Sequence, residues 1–283
     1  MQGRTVCVST KGTGFMAIVR QQLGDLVYFI DEQIPVPHAF TTRLGGVSTG
    51  VYDSLNLSQN LGDDPAQVFE NYKRITGALG TVPENLVFSH QVHEDRVRTV
   101  GTTHRLGDIF RPIDEEADGL VTKDPNVALT IFVADCIPIL LWDPGTGAVA
   151  AVHAGWRSTV LNIVGNAVRG MVALGANPRE IRAAIGPGIG PCCFETDPEV
   201  PAAVIALLGE GIPTCIQGLG GTKSAVDLKK VNRRLLLRAG LSILHISLSD
   251  ACTMCEPELF WSHRREARVR GSQAAIIFSR GTE

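Results

Sequence analysis

One hairpin constrains this chain more than any other feature. An apolar run at 127–142 leads into Asp143-Pro144-Gly145-Thr146, and a second apolar run follows at 148–153. Apolar runs on either side of a Pro-Gly turn signal read as paired, buried strands. Cys136 and His153 are two of the few polar residues in these runs. If the turn takes the four residues 143–146, Trp142 pairs with Gly147. Counting back along both strands then sets Cys136 directly opposite His153, with Cβ atoms about 5 Å apart. A loop one residue longer would send the two side chains to opposite faces, because side chains alternate along a strand.

His93 completes a trio. It lies in 86–100, which alternates and reads as strand. In a strand His90 and His93 face opposite ways, and Gln91 shares the face of His93. One thiolate and two imidazoles make a zinc shell whose fourth position stays open to water or substrate, the layout of a catalytic site. Taken singly, each residue has an ordinary structural reading, since free cysteines are often buried as small hydrophobes. Asp135 neighbours Cys136 but points to the other face, which favours a structural role or a contact through a bend over ligation.

The remaining pattern predicts helices at 63–78 (Asp64 as cap, Pro65 in the first turn), 157–174, 198–208 and 228–239. Short strands are predicted at 15–19, 26–30, 181–185, 244–248 and 274–278. Grouped strands with intervening helices, without strict βαβ alternation, favour an α/β (α+β) layered fold over a Rossmann sheet. The loop Gly186-Pro187-Gly188-Ile189-Gly190-Pro191 lacks a GxGxxG pattern and so is a weak nucleotide-loop signal.

Composition narrows the class. The chain of 283 residues is 44% hydrophobic and 19% charged, too apolar for a disordered segment. Its length suits about two domains or one large mixed domain. A net charge of −3 argues against a strongly basic nucleic-acid binder. The run at 127–142 is broken by Asp135 and Pro138 and falls short of a membrane span, so a soluble, cytoplasmic protein is expected. Seven cysteines, an odd number, point to thiols or metal ligands rather than a disulfide framework. Cys192-Cys193 and Cys252-Thr253-Met254-Cys255 form a second possible zinc set, although adjacent cysteines rarely point at one ion, and buried or partly exposed thiols are the favoured reading. Arg43, Arg157, Arg264 and Arg265 are candidate anion binders; Arg43 adjoins a Gly-rich turn and Arg157 the His153 strand, which sets these two ahead.

The motifs together carry a resemblance. Thr41-Thr42-Arg43 with Gly45-Gly46, Ser54-Leu55-Asn56-Leu57, Gln91-Val92-His93, Ala117-Asp118-Gly119, Ala134-Asp135-Cys136, His153-Ala154-Gly155-Trp156-Arg157, Ile185-Gly186-Pro187 through Cys192-Cys193, and the segment 252–265 occur in this order. The chain resembles, over about 40–278, the laccase-domain or multicopper polyphenol oxidase-like family, whose bacterial members are also called peptidoglycan editing factor or purine nucleoside phosphorylase. The resemblance implies a single layered α/β/β/α domain across 1–283 and a zinc ion held by His93, Cys136 and His153, with copper as a possible substitute. It also implies phosphorolysis of adenosine, inosine, guanosine and methylthioadenosine, together with adenosine deamination. Purine nucleosides and phosphate are then the partners, with Arg43 or Arg157 at the phosphate and Cys136 and His153 at the reacting centre. The family usually has Gly after the histidine of Gln-Val-His; here it is Glu94, which bears on the turn or the substrate rim. Three other readings compete. They are a zinc-free Cys136–His153 hydrolase dyad, a copper oxidase of phenols, for which seven dispersed histidines are few, and a non-enzymatic partner in cell-wall editing.

Overall fold

The computed structural model describes residues 18–209, 214–267 and 269–280. Strands and α-helices are numbered along these residues. The first sheet runs in the order β1 (Ile18–Leu23), β2 (Leu26–Asp31), β3 (His38–Thr41), β15 (Gln273–Ile277), β7 (Ala128–Val133) and β4 (Leu86–Val87). The second runs β14 (Ile246–Leu248), β10 (Arg182–Ile185), β8 (Ile137–Trp142), β9 (Val149–Ala154), β6 (Gly119–Thr122) and β5 (Val97–Thr99). A small third sheet joins β11 (Glu195–Thr196), β13 (Lys223–Val226) and β12 (Ile216–Gly220). The two large sheets are mixed: β4–β7, β10–β14 and β5–β6 are parallel pairs and the other pairs are antiparallel.

Three apolar cores give the layers. Phe40, Leu129, Ile131, Ala275 and Ile277 of the first sheet meet Leu140, Val149, Ala151 and Ala184 of the second, so the sheets pack face to face. The outer face of the first sheet is covered by α1 (Pro65–Leu79), whose Val68, Tyr72, Ile75 and Leu79 pack on Ala274, Ile276 and Phe278. The outer face of the second is covered by α3 (Ile163–Ala173), α4 (Glu199–Leu208) and α5 (Leu228–Arg238). This is the expected α/β/β/α layering. Helix α1 begins where its sequence says it should: the Asp64 carboxylate accepts from Ala66 N and Pro65 supplies a first-turn φ. Gly80, at φ 74°, ends it in a left-handed cap.

Three expectations are corrected. The apolar run at 127–142 is two strands in different sheets, because the chain turns at Asp135 with φ 88°. The Asp135 carboxylate holds that turn by accepting from Thr253 Oγ1 (2.6 Å), Ser262 Oγ (3.0 Å) and Arg264 N (2.7 Å). The stretch at 86–100 is strand only at β4 and β5, with a loop between them. The 157–174 helix breaks at Asn162 (φ 64°) into α2 (Trp156–Val160) and α3. Of the strand expected at 15–19, residues 15–17 lie outside the described residues.

The hairpin register is also corrected. Trp142 pairs with Val149, and His153 pairs with Pro138 rather than with Cys136. The turn takes in Gly147 and Ala148: Gly147 N donates to Asp143 O, Asp143 N donates to Ala148 O, and Thr146 N and Oγ1 both donate to Asp143 Oδ2. Gly147 supplies the positive φ (71°) this longer turn needs. A slip of two residues, unlike a slip of one, leaves every side chain on its own face. Cys136, one step beyond β8, therefore still shares a face with His153, on the diagonal.

Candidate active site

Three segments deliver the trio. Cys136 follows the Asp135 turn between the sheets, His153 sits near the end of β9, and His93 lies on the loop between β4 and β5. Their ligand atoms all fall within 4.8 Å of one another. Cys136 Sγ is 3.8 Å from His93 Nε2, and the two imidazole rings meet edge to face with centroids 4.7 Å apart.

Asp118, the residue before β6, organises the cluster. It is fully buried. Its Oδ1 accepts from His153 Nδ1 (2.7 Å) and His93 N (2.9 Å); its Oδ2 accepts from Val92 N (3.0 Å) and Glu94 N (2.9 Å). Three successive amides thus wrap one carboxylate, and this holds His93 at φ 64°, a left-handed conformation. The strand expected for His93 is replaced by this turn. Glu94 fits because the positive φ falls on His93 and not on Glu94. Gln91 spends its side chain elsewhere: Nε2 donates to Phe132 O (2.8 Å) and Oε1 accepts from Phe132 N (2.7 Å), which pins the loop to β7.

The ring of His153 is bound through Nδ1 to Asp118, so Nε2 is the nitrogen that faces Cys136. A carboxylate behind a histidine is the usual support for a metal ligand, since it fixes the tautomer and raises basicity. One thiolate and two imidazole nitrogens, close together and so supported, fit a tetrahedral ion with an open position. Charge on the ion-free cluster is shared. Burial opposes ionisation of Cys136, but the neighbouring His153 charge and hydrogen bonds from His153 and His93 bring its thiol down to about 6. Burial likewise opposes the His153 imidazolium, while Cys136 and Asp118 raise it to about 9. Asp118 is held below the usual carboxylate range, its burial outweighed by hydrogen bonds from His153 and the loop amides.

The cluster opens into a cavity of about 890 Å³ lined by residues of both large sheets and the loops around them. Phe88, Phe110, Phe132 and Phe194 give it apolar walls, and Arg111, Arg264 and Arg270 bring positive charge. Neither Arg43 nor Arg157 lines it. Arg43 donates to Asp53 O (2.9 Å) and Pro257 O (3.0 Å), lies 3.7 Å from Glu266 and covers the Trp261 ring. Its guanidinium is committed to loop closure. Arg157 is exposed and stacks on Trp156 at 4.4 Å. Arg265 is similarly used, donating to Thr253 O, Met254 O and Phe260 O. Of the arginines singled out from the sequence, Arg264 alone reaches the cavity.

Two residues escaped the sequence reading. Asp118 stood within a quoted motif, and the signal was a lone carboxylate at the head of the apolar run Leu120-Val121. Arg270 gave no local signal. It is half-buried, donates to Gly271 O (2.9 Å) and Ser272 Oγ (3.0 Å), and keeps a buried Nε with no partner.

Comparisons with known proteins show the family. Residues 37–280 match the family described as multi-copper polyphenol oxidoreductase laccase. A purine nucleoside phosphorylase of Deinococcus radiodurans is 42% identical over 246 residues, spanning 86% of this chain and 89% of the relative. The purine nucleoside phosphorylase YlmD of Geobacillus stearothermophilus is 37% identical, spanning 84% and 88%. The crystal structure of the hypothetical protein YfiH from Bacillus licheniformis superposes with a TM-score of 0.87 at 34% identity, covering 92% of this chain and 99% of that one. With the match running through every segment that builds the cluster, from the His93 loop to Arg270, the chain belongs to the multi-copper polyphenol oxidoreductase laccase family.

Proposed function

We propose that the protein is a zinc-dependent purine nucleoside phosphorylase acting on adenosine, inosine, guanosine and methylthioadenosine, and that the same site deaminates adenosine. The observation that carries this reading is the His93–Cys136–His153 cluster, backed by Asp118, at a cavity with apolar walls and arginines. The names of the similar proteins support it. The cavity volume suits a nucleoside with phosphate beside it.

His93, Cys136 and His153 would hold the ion, with Asp118 keeping His153 in the tautomer that presents Nε2. Zinc so held would supply Lewis acidity and a water of lowered pKa. In phosphorolysis a phosphate oxygen attacks ribose C1′ and the bond to the purine nitrogen breaks, its electron pair leaving with the base. Arg264 and Arg270, which line the cavity, would orient phosphate and offset its charge in place of Arg43 and Arg157. The phenylalanine walls take the flat base and exclude water.

A multicopper oxidase is not supported: among the described residues the only other His/Cys cluster is all cysteine. Copper can substitute for zinc on a thiolate with two imidazoles. One observation favours a second reading. The lowered Cys136 thiol, the raised His153 and the buried Asp118 behind it have the order of a cysteine-hydrolase triad.

The test is adenosine turnover with and without phosphate and with and without chelator. Adenine and ribose 1-phosphate should form only with phosphate, inosine should form without it, and chelation should stop both. Hydrolysis that survives complete metal removal would replace this reading with the triad.

A further inference from the structure

Cys192, Cys193, Cys252 and Cys255 converge outside the cavity. Their sulfurs all lie within 4.8 Å of one another, with Cys192–Cys255 at 3.5 Å and Cys193–Cys255 at 3.3 Å. Two tight turns place them. Cys193 N and Phe194 N both donate to Gly190 O (3.0 and 2.9 Å). Cys255 N and Glu256 N both donate to Cys252 O (3.0 and 3.1 Å). Thr253 N donates to Gly188 O (3.3 Å), which ties one turn to the other. The adjacency of Cys192 and Cys193 is therefore no obstacle, since the turn aims both sulfurs at the second pair.

The surroundings suit negative charge on the Cys252 sulfur. Gly190 N donates to Cys252 Sγ at 3.2 Å. A Cβ on Gly190 would meet Cys192 Sγ at 3.2 Å and Cys252 Cβ at 3.3 Å, so a larger residue would press the sulfurs aside by a few tenths of an ångström. Lys229 is 3% exposed beside the same turn, its ammonium donating to Ser249 O (2.9 Å) and Ala251 O (2.5 Å). Neutral thiols are weak donors and acceptors, and four of them have little reason to crowd together. Four thiolates around zinc stand about 2.3 Å from it and so about 3.8 Å from one another, a few tenths of an ångström beyond the 3.3 and 3.5 Å separations and inside the 4.8 Å that holds all four sulfurs. Such a group carries two net negative charges, one of which a buried lysine offsets.

We propose that Cys192, Cys193, Cys252 and Cys255 hold a structural zinc ion, distinct from the one at His93, Cys136 and His153. Binding replaces four thiol protons, released to solvent, with four Zn–S bonds and involves no change of oxidation state. The ion joins the Gly186–Phe194 loop to the turn after β14. That joint supports the cavity: Ile189 and Phe194 line its wall, and Thr253 Oγ1 holds Asp135, the residue before Cys136.

Metal analysis of chain purified in reductant without chelator tests the proposal. The unsubstituted protein should carry about two zinc ions and Cys136→Ala about one, while Cys255→Ala should lose the ion that Cys136→Ala keeps. Should Cys255→Ala fail to fold, cobalt substitution of Cys136→Ala decides. A folded tetrathiolate site gives intense sulfur-to-cobalt charge transfer, and the four cysteines should resist alkylation until chelator is added. Folded Cys136→Ala with no zinc, with all four thiols alkylated freely or with two of them joined as a disulfide in reductant, overturns it. These outcomes stand apart from the catalytic reading, which concerns the other ion.

Discussion

Replacing Asp118 by Asn tests the cluster with almost no change of shape. Each carboxylate oxygen accepts two hydrogen bonds in a fully buried position. An amide keeps one oxygen and puts an NH2 where the other stood. With NH2 in place of Oδ2, the amides of Val92 and Glu94 lose their acceptor and the loop carrying His93 is released. With NH2 in place of Oδ1, His93 N loses its acceptor and His153 Nδ1 must itself accept, which moves the ring proton to Nε2 and blocks the nitrogen facing Cys136. The first placement strands two amide donors and the second strands one, at about 1–3 kcal/mol each. The amide takes the cheaper placement and the loop is partly exposed, so a loss of about 1–3 kcal/mol in folding stability is expected. Zinc affinity should fall about 10–100-fold, the usual effect of removing a carboxylate behind a ligating histidine. Urea unfolding of the ion-free protein gives the first figure and competition with a chromophoric chelator the second. An Asp118→Asn protein with unchanged midpoint and unchanged zinc affinity would refute the role assigned to this carboxylate.

Cys136→Ala should abolish phosphorolysis and deamination together at a stability cost of about 1–2 kcal/mol; product analysis of the folded variant showing one activity intact would separate the two reactions. Gly155→Ala should weaken zinc binding about tenfold with little change in melting temperature. Its backbone (φ −70°) accepts alanine, but the new Cβ would stand 2.9 Å from His93 Cδ2 and 3.2 Å from Cys136 Sγ. Arg270→Ala should raise the KM for phosphate more than that for nucleoside, whereas Arg43→Ala should cost about 1–3 kcal/mol of stability from its lost carbonyl bonds and leave phosphate KM unchanged; steady-state kinetics and urea unfolding compare the two. Stability should also depend on His38, whose burial holds it below the ordinary 6.5 while Nδ1 donates to Val36 O and Nε2 accepts from Asp31 N. Its folded-state pKa is depressed, so its contribution is complete above pH 6.5 and is lost as pH falls from there through the folded value. Unfolding curves from pH 7 to about 5 should show that loss, and His38→Gln should flatten it.

What could be read from residues alone was local. Asp64 and Pro65 marked the start of α1 because capping groups act within one turn of the chain. The Asp-Pro-Gly-Thr turn and its flanking apolar runs established the hairpin. The shared face of Cys136 and His153 followed from the period of a strand, which a two-residue error in the turn does not disturb. Residue chemistry and motif order pointed to the trio and to the family. Distant partners decided the rest. His93 takes a left-handed turn because a carboxylate 25 positions along the chain collects its amide, and no strand pattern records that. Arg43 and Arg157 were set ahead for lying beside motifs, but a guanidinium reaches several ångströms, and the carbonyls and rings packed around it determine where it is used. Cys192-Cys193 and Cys252…Cys255 are about sixty positions apart, and the tight turns at Gly190 and Cys252 bring their sulfurs together. Periodicity and capping depend on neighbours in sequence, whereas the choice of partner for a buried amide, a long cation or a thiol depends on what the packed sheets and loops place beside it.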